Sequence, residues 1–300
     1  MRTRFLNKMT NGEVEEYLDK NDIIFIPIGV IETHGTFPLD VELTTPTAFA
    51  VKMAEQADGL VLGDLPYFYC GASCCGRGSV KMSVSAGVDY LKEISYSLLN
   101  QGFRRQVYIS FHGPAFLTAG TVVLDFFHET KVPIAYIDMS EALKVAIQKG
   151  LKIENYFEDI NLLFYGAYEI LQTKDELVID PNAEVLENFQ PDPASAGVES
   201  TNIAFFEYTR KLAHPSGSIG FYFSEPADHC GNYGALRSVE ERDRVCKLGA
   251  QKICEIVELL EIQKFVDQMK ELDVWTNTTI QEKYGKHMPK NKFSPWLPPF

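Results

Sequence analysis

Glu32 and His34 stand two residues apart in the run Gly29-Val30-Ile31-Glu32-Thr33-His34-Gly35. In extended backbone alternate side chains share a side, so this carboxylate and this imidazole would project together. Asp40 and Glu42 follow closely enough for the chain to fold back and add another carboxylate. A set of oxygen and imidazole donors suits zinc or manganese. Taken alone, the pair also reads as a carboxylate and a histidine solvated in a surface loop. His112 shifts that balance, because it follows directly on the buried-type run Val107 to Phe111. Parallel strands of one sheet end on the same rim, where the two histidines could converge.

The elements that must hold these groups are strands and helices in alternation. Ile23-Ile24-Phe25-Ile26-Pro27-Ile28 is apolar on both faces, as a strand inside a parallel sheet requires. Similar runs occur at Leu60 to Leu62, Val107 to Phe111 and Ile134 to Ile137. Between and after them, amphipathic patterns predict helices over Thr45–Gln56, Val88–Asn100, Leu117–Glu129, Glu141–Lys149 and Ser200–Leu212. Thr45-Pro46 supplies a cap followed by proline at the first helical position. A long helix starts at the capping box Ser238-Val239-Glu240-Glu241 and runs to about Leu272, with a break around Gly249. The alternation predicts an α/β fold, a three-layer α/β/α sandwich with a mostly parallel sheet. One domain is expected over residues 1–265. Residues 266–300 form a carboxy-terminal extension, irregular and proline-rich at its end.

Composition removes several function classes. Of the 300 residues, 41 are acidic and 28 are lysine or arginine, a formal charge of −13 that repels a phosphate backbone, so nucleic acid is not an expected partner. The longest nearly pure apolar run, Ile23 to Ile31, falls far short of the ~20 residues of a membrane span. No secretion signal is read at Met1–Lys8, where positive charge has no apolar stretch behind it. Six cysteines are too few for a disulfide scaffold, and a reduced, cytoplasmic setting is expected. The segment Cys70 to Ser79 lacks the pairing of a zinc ribbon and is read as buried thiols. It nearly matches a phosphate loop and a Gly-x-Ser-x-Gly elbow, but Arg77 replaces the lysine of the first and the last glycine comes one residue late for the second. His128, His214 and His287 are read as structural or surface histidines.

In order along the chain, the motifs resemble the creatininase (creatinine amidohydrolase) family. Glu32-Thr33-His34-Gly35 leads through Pro38-Leu39 to Asp40-Val41-Glu42, one residue shorter than the family spacing. Ser110-Phe111-His112-Gly113-Pro114-Ala115 is similar to the family's histidine-glycine turn, and Ser195-Ala196-Gly197-Val198-Glu199-Ser200-Thr201 to its third motif. Gly78-Ser79-Val80-Lys81-Met82-Ser83, Gly102-Phe103-Arg104-Arg105 and Gly231-Asn232-Tyr233-Gly234 also match, so the likeness spans roughly Asp22 to Leu260. The resemblance implies a creatininase-like fold and a centre of two divalent metal ions, zinc or manganese. Its ligands would be Glu32, His34, Glu42, His112 and Glu199, with Glu42 bridging and Asp40 as a substitute bridge. It also implies a homo-oligomer, often a hexamer, acting on a small polar molecule. Two departures concern the surroundings: Ser195 stands where the family has histidine, and Ser110-Phe111 where it has asparagine-glycine.

The implied chemistry is water attack on a carbonyl, by default at a cyclic C–N bond. The alternative is C–C hydrolysis of a keto-cyclitol ring, and an alternative of another class is an inactive, metal-binding structural or regulatory subunit. For the proton returned to the leaving group, the candidates are Glu199, Asp40 and His229, the last in Pro226-Ala227-Asp228-His229-Cys230.

Overall fold

The computed structural model describes residues 1–154, 156–183, 220, 222–223, 229 and 235–288. Four strands, β1 (Ile23–Pro27), β2 (Leu60–Val61), β3 (Arg105–Ser110) and β4 (Ala135–Asp138), form one sheet in the order β2-β1-β3-β4, every pair parallel. Ile24 lies beside Leu60 on one side and Gln106 on the other, and Val107 beside Ala135. All five residues of β1 are buried, as an apolar run with no polar face must be.

Strand alternation splits the core into two layers. Ile23, Phe25, Val107 and Ile109 face α2 (Val41–Gln56), α5 (Met139–Gln148), α6 (Tyr156–Ile170), α7 (Val239–Leu260) and α8 (Ile262–Trp275). Ile24, Ile26, Ile28 and Tyr108 face α1 (Asn11–Leu18), α3 (Val84–Gln101) and α4 (Thr121–Thr130). The three-layer α/β/α sandwich with a parallel sheet is therefore the observed fold. Among the described residues, no helix is long and apolar enough to cross a membrane.

Several helices begin elsewhere than their patterns suggest, and the physical reasons bear on the site. α2 starts at Val41, four residues before the expected Thr45, so Pro46 lies inside the helix and not at its first position. Proline there has no N–H for the carbonyl of Glu42. Gly29 explains how this turn is seated: a Cβ on Gly29 would lie 2.5 Å from the Glu42 carbonyl oxygen and 2.6 Å from Leu43 Cα. Only glycine lets the first turn of α2 press against the end of β1, and that contact carries Glu42 to the strand end. α3 begins a turn early, at Val84, where the Ser83 hydroxyl accepts the N–H of Ala86, and ends at Gly102 in the left-handed region (φ 105°).

α1 and α6 were not anticipated, whereas the expected helix over Ser200–Leu212 lies outside the described residues. The break expected near Gly249 is absent. α7 runs unbroken to Leu260, and the chain turns at Glu261, whose φ is +53°. Gly249 has another purpose, because α6 crosses α7 there at backbone distance. A Cβ on Gly249 would stand 1.7 Å from the Leu162 carbonyl oxygen, and one on Gly166 would stand 2.1 Å from the Gly249 carbonyl carbon. The boundary at residue 265 falls inside α8, which buries Val266 and Met269 and pairs Asp273 with Arg104.

Candidate metal centre

β1 and β3 deliver the site at their carboxyl ends. After β1 the chain bridges Val80 through Ile31, presents Glu32, and closes a loop in which the N–H of Glu32 donates to the Leu39 carbonyl at 2.9 Å. Gly35 (φ 63°) turns the chain after His34, and the N–H of Phe37 reaches back to the His34 carbonyl at 3.2 Å. After β3, the N–H of His112 donates to Ser110 Oγ at 3.2 Å, which fixes the backbone where the histidine leaves the sheet. Glu42 arrives from the first turn of α2.

Glu32, His34, Glu42 and His112 are all buried, at 0, 6, 6 and 5% exposure, although buried charges are rare without partners. Their donor atoms fall into two groups. In one, Glu32, Glu42 and His112 converge, and in the other Glu32, His34 and His229, with the atoms of each group within 4.8 Å of one another. Glu32 belongs to both. Its Oε1 lies 3.3 Å from His112 Nδ1 and 3.5 Å from His229 Nε2. Glu42 also spans the centre, with Oε2 at 2.5 Å from His112 Nδ1 and Oε1 at 4.0 Å from His34 Nδ1.

Outer partners aim these groups. The Nε2–H of His112 donates to the Tyr69 carbonyl at 2.9 Å, which turns Nδ1 toward the two carboxylates. The Ser73 hydroxyl sits between Glu32 Oε2 and the Cys70 carbonyl. Ser73 is held in turn through its own carbonyl, which accepts from Ser79 Oγ at 3.2 Å, while Ser79 Oγ accepts the Thr33 N–H at 3.3 Å. Cys70, which is buried, and Cys75, which is half-buried, form no disulfide among the described residues. Around His34 the wall is aromatic: Phe164 meets the imidazole edge-on at 5.0 Å between ring centroids, and Phe37 at 6.4 Å. Phe111 packs edge-on to Phe164 at 5.7 Å, so the residue that departs from the family turn contributes to the same wall.

Electrostatics separate the two histidines. Burial opposes a charge on His112, but Glu42 and Glu32 hold its imidazole well above the ordinary histidine value. Burial likewise works to raise Glu32, yet the His112 charge and hydrogen bonding keep that carboxyl well below the usual range. Glu42 is raised, chiefly by burial and secondarily by Glu32. Burial, with His229 and His112 adding, pulls His34 down to about 3, so it is neutral at physiological pH. A divalent cation fits these residues: among the described residues Glu32 Oε1 and His34 Nδ1 are buried without a hydrogen-bond partner, and a cation would take up the lone pairs of both.

Of the remaining sequence candidates, Asp40 belongs to neither group. It caps α2 by backbone and accepts the Tyr168 hydroxyl at 3.4 Å. Glu199 and Ser195 lie outside the described residues. Sequence reasoning did not identify Ser73, the Tyr69 carbonyl or Phe164. Ser73 sits in a cysteine-flanked loop that carries no metal motif, and a backbone carbonyl has no residue signature.

Residues 7–155 match the family model described as creatininase, creatinine amidohydrolase. A curated relative, the 3-dehydro-scyllo-inosose hydrolase of Thermotoga maritima, is 30% identical over 122 residues, which are 38% of this chain and 37% of that protein. The match thus spans little more than a third of the relative's length. Among solved structures, a creatinine amidohydrolase homologue from Bacteroides fragilis superposes with a TM-score of 0.59 at 18% identity, covering 91% of this chain and 98% of the other. A creatininase gives 0.53 at 18% identity over 90% and 98%. A manganese form of creatininase gives 0.52 with the same identity and coverage. At these identities the structures speak for the fold, while the family match and the buried ligand groups establish a metal-binding, hydrolytic type of site. Residues 7–155 of the chain belong to the creatininase family, and the fold around them is the one that the creatininase structures share.

Proposed function

We propose that this protein is a two-metal hydrolase that opens a small, polar, cyclic substrate at a carbonyl, with a C–N bond as the default. The observation that carries the proposal is the pair of buried donor groups sharing Glu32. Glu32, His34, Glu42 and His112 would hold the ions, joined by Glu199 as the family resemblance implies, and zinc or manganese suits the donors. Divalent cations in such a centre acidify water near neutral pH and polarise the carbonyl under attack.

The protein's own groups do the rest. Glu42 reaches toward His34 with one oxygen and His112 with the other, which supports reading it, with Asp40 as the substitute, as the bridging ligand. Ser73 and the Tyr69 carbonyl fix the directions of Glu32 and His112, and Phe37, Phe111 and Phe164 exclude bulk water from one side. Return of a proton to the leaving atom falls to Glu199, Asp40 or His229. A cytoplasmic homo-oligomer, as the family resemblance implies, completes this reading.

A second reading has its own support. The relative from Thermotoga maritima is a hydrolase of 3-dehydro-scyllo-inosose, and its likeness favours C–C hydrolysis of a keto-cyclitol ring as the alternative. The test is a screen of creatinine and other cyclic amides, formamides and keto-cyclitols with zinc or manganese supplied, alongside metal analysis. Turnover of one class, lost on chelation, supports the proposal. Full metal loading with no hydrolysis of any class would favour the inactive relative. A protein that binds no divalent metal and whose melting temperature ignores chelators defeats the reading altogether.

A further inference from the structure

We infer that His229 is a metal ligand of this chain, completing with His34 and Glu32 a two-imidazole, one-carboxylate site beside the His112 group. The inference rests on the two-metal reading and deepens it. His229 comes from a part of the chain remote from both β1 and β3, yet its Nε2 lies 3.5 Å from Glu32 Oε1. Its ring stands perpendicular to that of His34, at 89° with centroids 5.2 Å apart, so the two imidazoles do not stack. The donor atoms of Glu32, His34 and His229 fall within 4.8 Å of one another. A tetrahedral cation with bonds of about 2.1 Å places its donors roughly 3.4 Å apart, so closing this triad around an ion takes about an ångström of movement.

The ring is also held in place for the task. Phe223 stacks on His229 at 5.2 Å and 27°, and the N–H of Phe223 donates to the Ala72 carbonyl at 3.1 Å. The loop that aims Glu32 through Ser73 therefore also anchors the aromatic that backs His229. On the other side, Phe164 meets His34 edge-on at 5.0 Å. One triad thus offers two imidazoles and one carboxylate, while the other offers one imidazole and two carboxylates. Imidazole suits zinc and other later first-row ions, and carboxylate suits manganese or magnesium. The two positions are chemically unequal, and His229 is the residue that makes them so.

The experiment uses the full-length protein, stripped of metal and reloaded with cobalt(II), whose visible absorption reports its ligands. Metal content and spectrum are compared for the wild type, His229→Ala and His229→Gly, with melting temperatures of the metal-free proteins as the folding control. The inference expects two equivalents in the wild type and one in either variant, with free imidazole restoring the second equivalent and its absorption to His229→Gly. Two equivalents with an unchanged spectrum in both variants overturn it. So does a variant that keeps both ions and loses only turnover, which gives His229 the proton instead. A wild type that binds no cobalt overturns this inference together with the hydrolase reading, and so separates that failure from the others.

Discussion

At the His112 group two buried carboxylates face one imidazole, and at the His34 group a buried imidazole faces the edges of aromatic rings. The first group is satisfied by a proton: His112 is held well above its ordinary value by Glu42 and Glu32 and donates from both nitrogens. The second is not, because His34 is pushed down to about 3 and its Nδ1 lies buried with no hydrogen-bond partner among the described residues. Burial acts on both in the same direction, and the count of neighbouring carboxylates decides which one keeps the proton. One half of the centre must therefore give up a proton to take an ion, and the other half is ready for one.

The largest expected effect tests the residue the halves share. Glu32→Gln removes the carboxylate that, among the described residues, belongs to both groups. Metal analysis is expected to find neither equivalent and assays no turnover; one ion held at wild-type affinity would show that the halves do not depend on Glu32 together. Next comes a contrast in metal-free stability. His112→Phe leaves Glu32 and Glu42 buried without their counter-charge and should cost about 3–5 kcal/mol by denaturant titration. His34→Phe replaces an unsatisfied imidazole with an apolar ring in an aromatic wall and should stay within about 1 kcal/mol of the wild type. Equal losses would erase the distinction.

Proton release comes third. Below the raised value of His112, affinity at its group should rise about tenfold per pH unit, with one proton released per ion. The His34 imidazole should release none above about 3. Calorimetry in buffers of different ionisation heat counts those protons. Fourth is the acid limb of metal-free stability. Between the unfolded histidine value near 6.5 and the folded value of about 3, the unfolded chain holds the His34 proton and the folded chain does not. Stability should therefore fall as pH drops through that window, and His34→Phe should shallow the slope; an unchanged slope would mean that His34 is not held neutral. The smallest effect is expected of Ser73→Ala, a loss of about tenfold in metal affinity through a misdirected Glu32, read by competition with a chelating dye.

The strand ends were legible because Ile23 to Ile28 and Val107 to Ile109 are short, apolar runs rich in β-branched residues, which leaves few other places to put them. Glu32, His34 and His112 were legible for the same reason, as polar residues directly beyond such runs. The start of α2 was misplaced because Thr45-Pro46 satisfies the local rule for a helix start, and only the tertiary contact with Gly29 shows why the helix begins earlier. α6 was missed because its run Leu162-Leu163-Phe164-Tyr165-Gly166-Ala167-Tyr168 is apolar all round and lacks a helical stripe. The meeting of His229 with Glu32 depends on a fold-back across almost 200 residues, which no spacing encodes.

The glycine crossing of α6 and α7 bears on how this pocket can change. Gly166 and Gly249 have no rotamers to exchange, and their backbones already touch, so the helix separation cannot be tuned by small steps. Any added carbon there meets main chain and not a yielding side chain. Phe164, two residues from Gly166, is therefore presented to His34 from a platform of fixed height. Adapting this pocket to a larger or smaller occupant would proceed by exchanging the aromatics themselves, Phe37, Phe111 and Phe164, with the frame behind them left as it is.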